Sequence, residues 1–93
     1  MRELATHDKL HQFGGYRKAC ELFDLVVADL SPLAREPLCM RLVSQQVASA
    51  DSVSSNIEEG YGRSSRAEYI RFLVIARGSA LETRGRYEQR LRH

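Results

Sequence analysis

The sequence predicts an all-α protein, an antiparallel up-and-down bundle of three helices. Apolar residues recur at intervals of three and four in three segments, and the breaks between the segments are short and contain Pro, Gly or Ser. No stretch of strand length alternates apolar and polar residues. Short connections make consecutive helices antiparallel neighbours. The 93 residues suffice for one domain, which we place over residues 1–93.

The first helix is predicted over residues 16–30. Its apolar stripe consists of Tyr16, Ala19, Cys20, Phe23, Val26, Val27 and Leu30. Gly14 and Gly15 precede it, and Ser31 is followed by Pro32. Because proline disfavours helix in the residue before it, the chain is expected to turn there.

The second helix is predicted over residues 37–60, with Pro37 in its first turn. Its apolar face is expected to hold Leu38, Leu42, Val43, Val47, Ala50, Val53, Ile57 and Tyr61. Gly60 and Gly62 predict the end of the helix, since glycine tolerates the left-handed conformation that commonly terminates helices.

The third helix is predicted over residues 65–90. The Ser-Arg-Ala-Glu segment that begins at Ser65 is typical of a capping box. The helical period continues through Ala67, Ile70, Leu73, Val74, Ala76, Leu81, Tyr87 and Leu91. Gly78 and Gly85 lower helix stability, so the helix is expected to weaken after Thr83.

The composition indicates a globular chain, with 43% hydrophobic and 28% charged residues. The net charge of +2 conceals an asymmetry. Residues 1–60 carry six Lys or Arg against nine Asp or Glu, whereas residues 61–93 carry eight Arg against three Glu. No apolar run is long enough for a membrane span, and no signal sequence begins the chain, so we expect a cytoplasmic protein without membrane contact.

No residue pattern indicates catalysis, a metal site or a cofactor. Cys20 and Cys39 have no zinc spacing and are expected to be reduced and buried, with a disulfide between two helices as the alternative. His7, His11 and His93 lie near the termini without a third ligand nearby in sequence. Phosphate-loop, dinucleotide and nucleophile-elbow motifs are all missing from the sequence. We therefore expect no enzyme.

A set of motifs in the second and third helices resembles a known family. Residues 53–63 read VSSNIEEGYGR, residues 68–73 read EYIRFL and residues 76–79 read ARGS. They resemble the S-I-P-S-N-I-A-E-G-x-G-R, E-[FY]-I-R-F-L and A-x-G-S-x-x-E patterns of the bacterial four-helix-bundle proteins encoded by 23S rRNA intervening sequences, which are S23 ribosomal-protein-like. The matching residues are Asn56, Ile57, Glu59, Gly60, Gly62, Glu68, Gly78, Ser79 and Glu82.

This resemblance implies a bacterial cytosolic bundle that forms a ring-like homopentamer. It also implies kinship with the accessory protein of diversity-generating retroelements, which uses a basic surface to work with nucleic acid and a reverse transcriptase. The chain departs from the family pattern at Ser54, where many relatives have proline, and at Glu58, where they have alanine. The family's fourth helix is expected to be absent, because the sequence ends at His93.

Four arginines, Arg63, Arg66, Arg71 and Arg77, are the candidates for phosphate contact, because guanidinium groups match phosphate oxygens. Arg66 and Arg77 are eleven residues apart, close to three helical turns, and are expected to share a face that excludes Arg71. The alternative is a solvated face or salt bridges between subunits.

The cluster of Asn56, Glu59, Gly60 and Gly62 is interpreted either as a binding surface or as architecture, in which Asn56 bonds to backbone and Glu59 pairs with an arginine, Arg63 or Arg71.

Aromatic residues follow the turn. Tyr61, Tyr69 and Phe72 are candidates for stacking on bases. For Tyr69 and Phe72 the favoured interpretation is a second apolar side of the third helix, exposed in a monomer and buried between copies.

These observations predict a non-catalytic homo-oligomer that acts as an adaptor, with structured RNA or an RNA-bound protein as its partner. Closure of a ring requires head-to-tail contacts between copies. The alternative is a structural or protein-protein interaction module that does not bind nucleic acid.

Overall fold

The protein, represented by a computed structural model that describes Leu10 and residues 12–91, is an all-α bundle of three antiparallel helices. Helix α1 spans Gly14–Leu30, α2 spans Met40–Tyr61 and α3 spans Arg66–Arg86. A 3₁₀ turn, Ser31–Leu33, follows α1, and a π-helical turn, Tyr87–Leu91, follows α3. The predicted fold class is confirmed. No helix of the described part is long and apolar enough to cross a membrane.

Helix α2 lies in the middle of the bundle, in contact with α1 and, more extensively, with α3. Two clusters of buried apolar residues form the core. One lies near the α2–α3 turn and comprises Leu10, Ala19, Val53, Ile57 and Ala76. The other lies at the opposite end and comprises Val26, Leu30, Val43 and Ala50. Tyr87 and Leu91 pack against this second cluster, so the π-helical turn is part of the core.

The helices begin at positions that differ slightly from the predicted ones. Helix α1 starts at Gly14, two residues early. Helix α2 starts at Met40, because residues 37–39 form turns, with the amides of Cys39 and Met40 donating to the carbonyl of Glu36 at 2.9 and 3.0 Å. Pro37 therefore precedes the helix. Leu38 was expected on the apolar face, but this turn leaves it 96% exposed.

Helix α3 was predicted to reach residue 90, but it stays α-helical past Thr83 only as far as Arg86 and then becomes the π-helical turn. Buried polar side chains hold this part of α3 against α2. The Gln46 side chain is fully buried and donates its Nε2 hydrogen to the carbonyl of Thr83 at 2.7 Å, while its Oε1 accepts from Arg86 Nη1 at 2.7 Å. The same Arg86 nitrogen donates to Ser49 Oγ at 3.0 Å. Tertiary hydrogen bonds thus offset the low helix propensity of Gly85.

Two tyrosines attach α1 to the rest of the bundle. The Tyr16 hydroxyl donates to Glu58 Oε1 at 2.7 Å, and this bond, with burial, raises the pKa of Tyr16. Burial, followed by a hydrogen bond to Asp29, raises the pKa of Tyr87 to about 12. Both phenols are therefore protonated at neutral pH, and they link the two ends of α1 to α2 and to the π-helical turn.

The two cysteines form no disulfide with each other. Cys20 and Cys39 are free thiols, as expected, but both are half-buried rather than buried. His7, His11 and His93 lie outside the described residues. Within the described part of the chain, no three His, Cys, Asp or Glu side chains are grouped so that they could hold a metal ion.

Candidate nucleic-acid interface

The last turn of α2 contains a glycine that allows α2 and α3 to approach closely. Gly60 is buried, and a Cβ atom at this position would lie 3.2 Å from the Cβ of Phe72 and 3.3 Å from the carbonyl oxygen of Tyr69. The predicted left-handed ending is wrong: no described glycine has a positive φ, and Gly62 has φ −83° and ψ −5°. Helix α2 ends in a right-handed turn because α3 packs directly on Gly60.

Helix α3 begins at the predicted cap. The Ser65 hydroxyl accepts a hydrogen bond from the amide of Glu68 at 3.1 Å, which satisfies one of the free amides of the first turn. The carboxylate of Glu68 lies 3.5 Å from Arg71 Nη1, so this side chain contributes an ion pair on the surface of α3. The start of α3 is thereby fixed next to the end of α2.

The family-motif residues of α2 and α3 form a polar contact along the two helices. Asn56 Nδ2 donates to the carbonyl oxygen of Ser52 at 2.7 Å and to its hydroxyl at 2.9 Å. Ser79 Oγ donates to the same hydroxyl at 2.8 Å. Ile57 is buried in the core beside this contact. These bonds favour the architectural interpretation of Asn56 and Ser79. Gly78 and Glu82, by contrast, are exposed on α3.

Two of the four candidate arginines are already paired within the chain. Arg63 Nη2 lies 3.2 Å from Glu59 Oε2, which settles the partner that the sequence left open for Glu59. The guanidinium carbons of Arg63 and Arg71 lie 4.8 and 5.6 Å from the centroid of the Phe72 ring, within the range of cation–π contacts. Arg63 and Arg71 therefore form one group, held in place by carboxylates and by the same ring.

The other two candidate arginines form a second group with different properties. Arg66 and Arg77 are exposed, and no described carboxylate lies within ion-pair distance of either guanidinium. Since α3 is continuous between them, they lie on one face, about 16 Å apart at 1.5 Å per residue. Arg84, seven residues further on, extends this row and pairs with Glu88 at 3.8 Å. Arg84 was not among the arginines predicted from the sequence, although its spacing of about two helical turns from Arg77 would have placed it on the same face.

The premise that Tyr69 and Phe72 form an exposed apolar side of α3 is wrong. Both side chains are half-buried, because Tyr69 packs edge-on against Tyr61 with ring centroids 5.4 Å apart and Phe72 covers Gly60. The second apolar side of α3 is formed instead by Ile70, Val74 and Leu81, which are 48%, 63% and 44% exposed. A role for Tyr69 and Phe72 between copies stays a prediction.

The two tyrosines and two of the arginines line a pocket of about 330 Å³ beside the first turn of α3, which we call the turn pocket. Its lining residues are Gly60, Tyr61, Arg63, Ser64, Ser65, Arg66 and Tyr69. Burial, followed by a hydrogen bond with Tyr69, raises the pKa of Tyr61, so this phenol carries no charge at neutral pH. The turn pocket thus combines cationic and uncharged aromatic groups. Ser64 was not singled out by the sequence, since one serine in a loop gives no signal.

Comparison with known proteins agrees with the motifs that lie in these helices. A family model described as 23S rRNA-intervening sequence protein matches residues 12–89. Neither the curated proteins nor the solved structures that were compared give a match. The matched segment contains all three helices, the α2–α3 turn and the four arginines. The chain therefore belongs to the 23S rRNA-intervening sequence protein family.

Proposed function

We propose that this protein is a non-catalytic, cytoplasmic adaptor that binds structured RNA, or a protein bound to RNA, through the arginines of the α2–α3 turn and of α3. The observation that carries the proposal is the pair Arg66 and Arg77, two exposed guanidinium groups on one helical face without a described carboxylate partner. Exposed cations with no internal partner are available to phosphate, and they attract it without regard to sequence.

The charge distribution supports the same proposal. Residues 61–93 carry eight Arg and three Glu, so the surface that begins at the α2–α3 turn is the cationic part of the chain. Arg63 and Arg71 already pair with carboxylates, which lowers the free energy that they gain from phosphate. Among the described residues, Arg66 and Arg77 have no such competing carboxylate. We therefore expect these two arginines to contribute most of the electrostatic affinity.

The test measures binding of the purified protein to a labelled hairpin from 23S rRNA by fluorescence anisotropy over a salt series. The logarithm of the affinity should fall linearly with the logarithm of the salt concentration. Reversing both charges, Arg66→Glu with Arg77→Glu, should weaken binding and reduce the slope by about 1.4 to 1.8, the share of two phosphates.

The matched control is Arg35→Glu with Arg41→Glu, which makes the same change in net charge in the turn before α2 and in its first turn. Both control residues are exposed, and the length of α2, about 33 Å, separates this end from the turn. The control should retain the wild-type slope. Equal effects of the two double variants, or no binding even at low salt, would contradict the proposal.

A second candidate function is favoured by the exposed apolar stripe of α3, formed by Ile70, Val74 and Leu81. Such a stripe on a helix is typical of a surface that packs against protein. It supports a homo-oligomer, by resemblance a pentamer, and it fits a structural or protein-protein interaction module that does not bind nucleic acid. Loss of assembly in the Arg66 and Arg77 double variant, with RNA binding absent from the wild type, would favour this second function.

A further inference from the structure

The turn pocket contains polar groups that are suited to a phosphate and have capacity to donate that no described residue uses. Arg66 has no described ion-pair partner, and the Ser64 hydroxyl has no hydrogen-bond partner among the described residues. The Ser65 hydroxyl accepts from the amide of Glu68, which leaves its own hydrogen free to donate. Three donors thus line one small pocket, and a phosphate oxygen is an acceptor for each of them.

The aromatic wall of the turn pocket is suited to a base. Tyr61 and Tyr69 line the pocket together, and their edge-on contact holds both rings in place. Aromatic faces stack on bases of any identity. The turn pocket is an open depression of about 330 Å³ on the surface, so a single base turned outward can reach its aromatic wall without being enclosed.

We infer that the turn pocket holds one unpaired nucleotide of the bound RNA, with its phosphate on Arg66 and Ser64 and its base against Tyr69. This inference rests on the proposed function and specifies its ligand. A base that is paired in an A-form helix is stacked between its neighbours and cannot enter a pocket, whereas a base in a loop can be turned outward. The protein should therefore prefer unpaired RNA to a fully paired helix of the same charge.

The first experiment compares an oligouridylate with a fully paired hairpin that has the same number of phosphates. Arg66→Gln is measured beside Arg77→Gln, a matched control on the same face of α3 but outside the turn pocket. Both variants should weaken hairpin binding by the same small factor, because each removes one phosphate contact. Arg66→Gln should in addition weaken oligouridylate binding by about tenfold, because a nucleotide whose phosphate is no longer held also loses its stacking on Tyr69, and the loss of one stacked base is of this size.

The second experiment locates the base directly by ultraviolet crosslinking of the wild-type protein to the oligouridylate. Trypsin releases Tyr69 in the peptide of residues 67–71 and Tyr87 in the peptide of residues 87–90. The crosslink should lie in the first peptide and be absent from the second. Tyr69→Phe should retain the preference for unpaired RNA, since its ring still stacks. Tyr69→Leu should lose it, and the wild-type crosslink remains decisive if that variant fails to fold.

The outcomes separate this inference from the function on which it rests. If hairpin and oligouridylate bind equally and the crosslink lies outside residues 67–71, the inference is overturned while RNA binding stands. If neither RNA binds at low salt, the proposed function fails and the inference fails with it. A preference for oligouridylate that Arg66→Gln abolishes and Arg77→Gln retains would support both.

Discussion

Replacing Gly60 with alanine tests the close approach of α2 and α3. The added Cβ would lie 3.2 and 3.3 Å from Phe72 Cβ and the Tyr69 carbonyl oxygen, whereas nonbonded carbon atoms prefer about 3.5–4.0 Å. Both neighbours are at or next to the backbone of α3, so neither can rotate away, and α3 must shift by a few tenths of an ångström. Overpacking of this kind destabilises by about 1–3 kcal/mol.

Alanine also has a higher helix propensity than glycine, which offsets up to about 1 kcal/mol of that cost. We therefore expect Gly60→Ala to lower the free energy of unfolding by about 1–2 kcal/mol, or the melting temperature by about 4–16 °C for a domain of this size. Gly85→Ala is the matched control, because an added Cβ there meets nothing within 4 Å. It should raise the free energy of unfolding by up to about 1 kcal/mol.

The measurement is urea unfolding followed by circular dichroism, with a thermal scan, at one fixed protomer concentration, since association makes apparent stability depend on concentration. The difference between the two variants should be about 1–3 kcal/mol. If Gly60→Ala is as stable as the wild type, or if both variants shift stability in the same direction, then Gly60 does not act through the contact with α3.

Three further predictions concern other parts of the bundle. Val74→Asp should convert the oligomer to a monomer, measured by light scattering at micromolar concentration. The control Leu25→Asp, at a similarly exposed residue, should leave the oligomer intact. A wild-type protein that is well folded and monomeric would exclude the oligomer. Ser65→Ala should lower the free energy of unfolding by about 1 kcal/mol through loss of the cap, and Ser64→Ala should have no such effect in urea unfolding. Because the folded pKa of Tyr87 is about 12 against 10.0 unfolded, its stabilisation should be complete below pH 10 and lost as the pH rises through about 12. Stability measured over this window should therefore fall more steeply for the wild type than for Tyr87→Phe, and identical slopes would refute the assignment.

The arginines and aromatic residues show where sequence reasoning about the site succeeded and where it failed. The shared face of Arg66 and Arg77 follows from helical period alone, because a helix fixes the angle between residues eleven apart. The contacts of Tyr69 and Phe72 do not follow from the helical period, since several rotations of α3 against α2 would bury an apolar side of α3. The observed rotation, which turns both rings inward and leaves Ile70 exposed, brings Phe72 and Tyr69 against Gly60 and Thr83 against Gln46.

The sequence by itself determined the features that depend on nearby residues: three helices, their antiparallel order, the cap at Ser65 and the family to which the chain belongs. These follow from residues only a few positions apart. Three features are visible only in the tertiary structure: α2 is central, Gly60 contacts α3, and buried polar side chains hold the end of α3 against α2. Those features depend on hydrogen bonds and contacts between residues far apart in the chain, such as Gln46 with Thr83, and the local period of apolar residues carries no information about them.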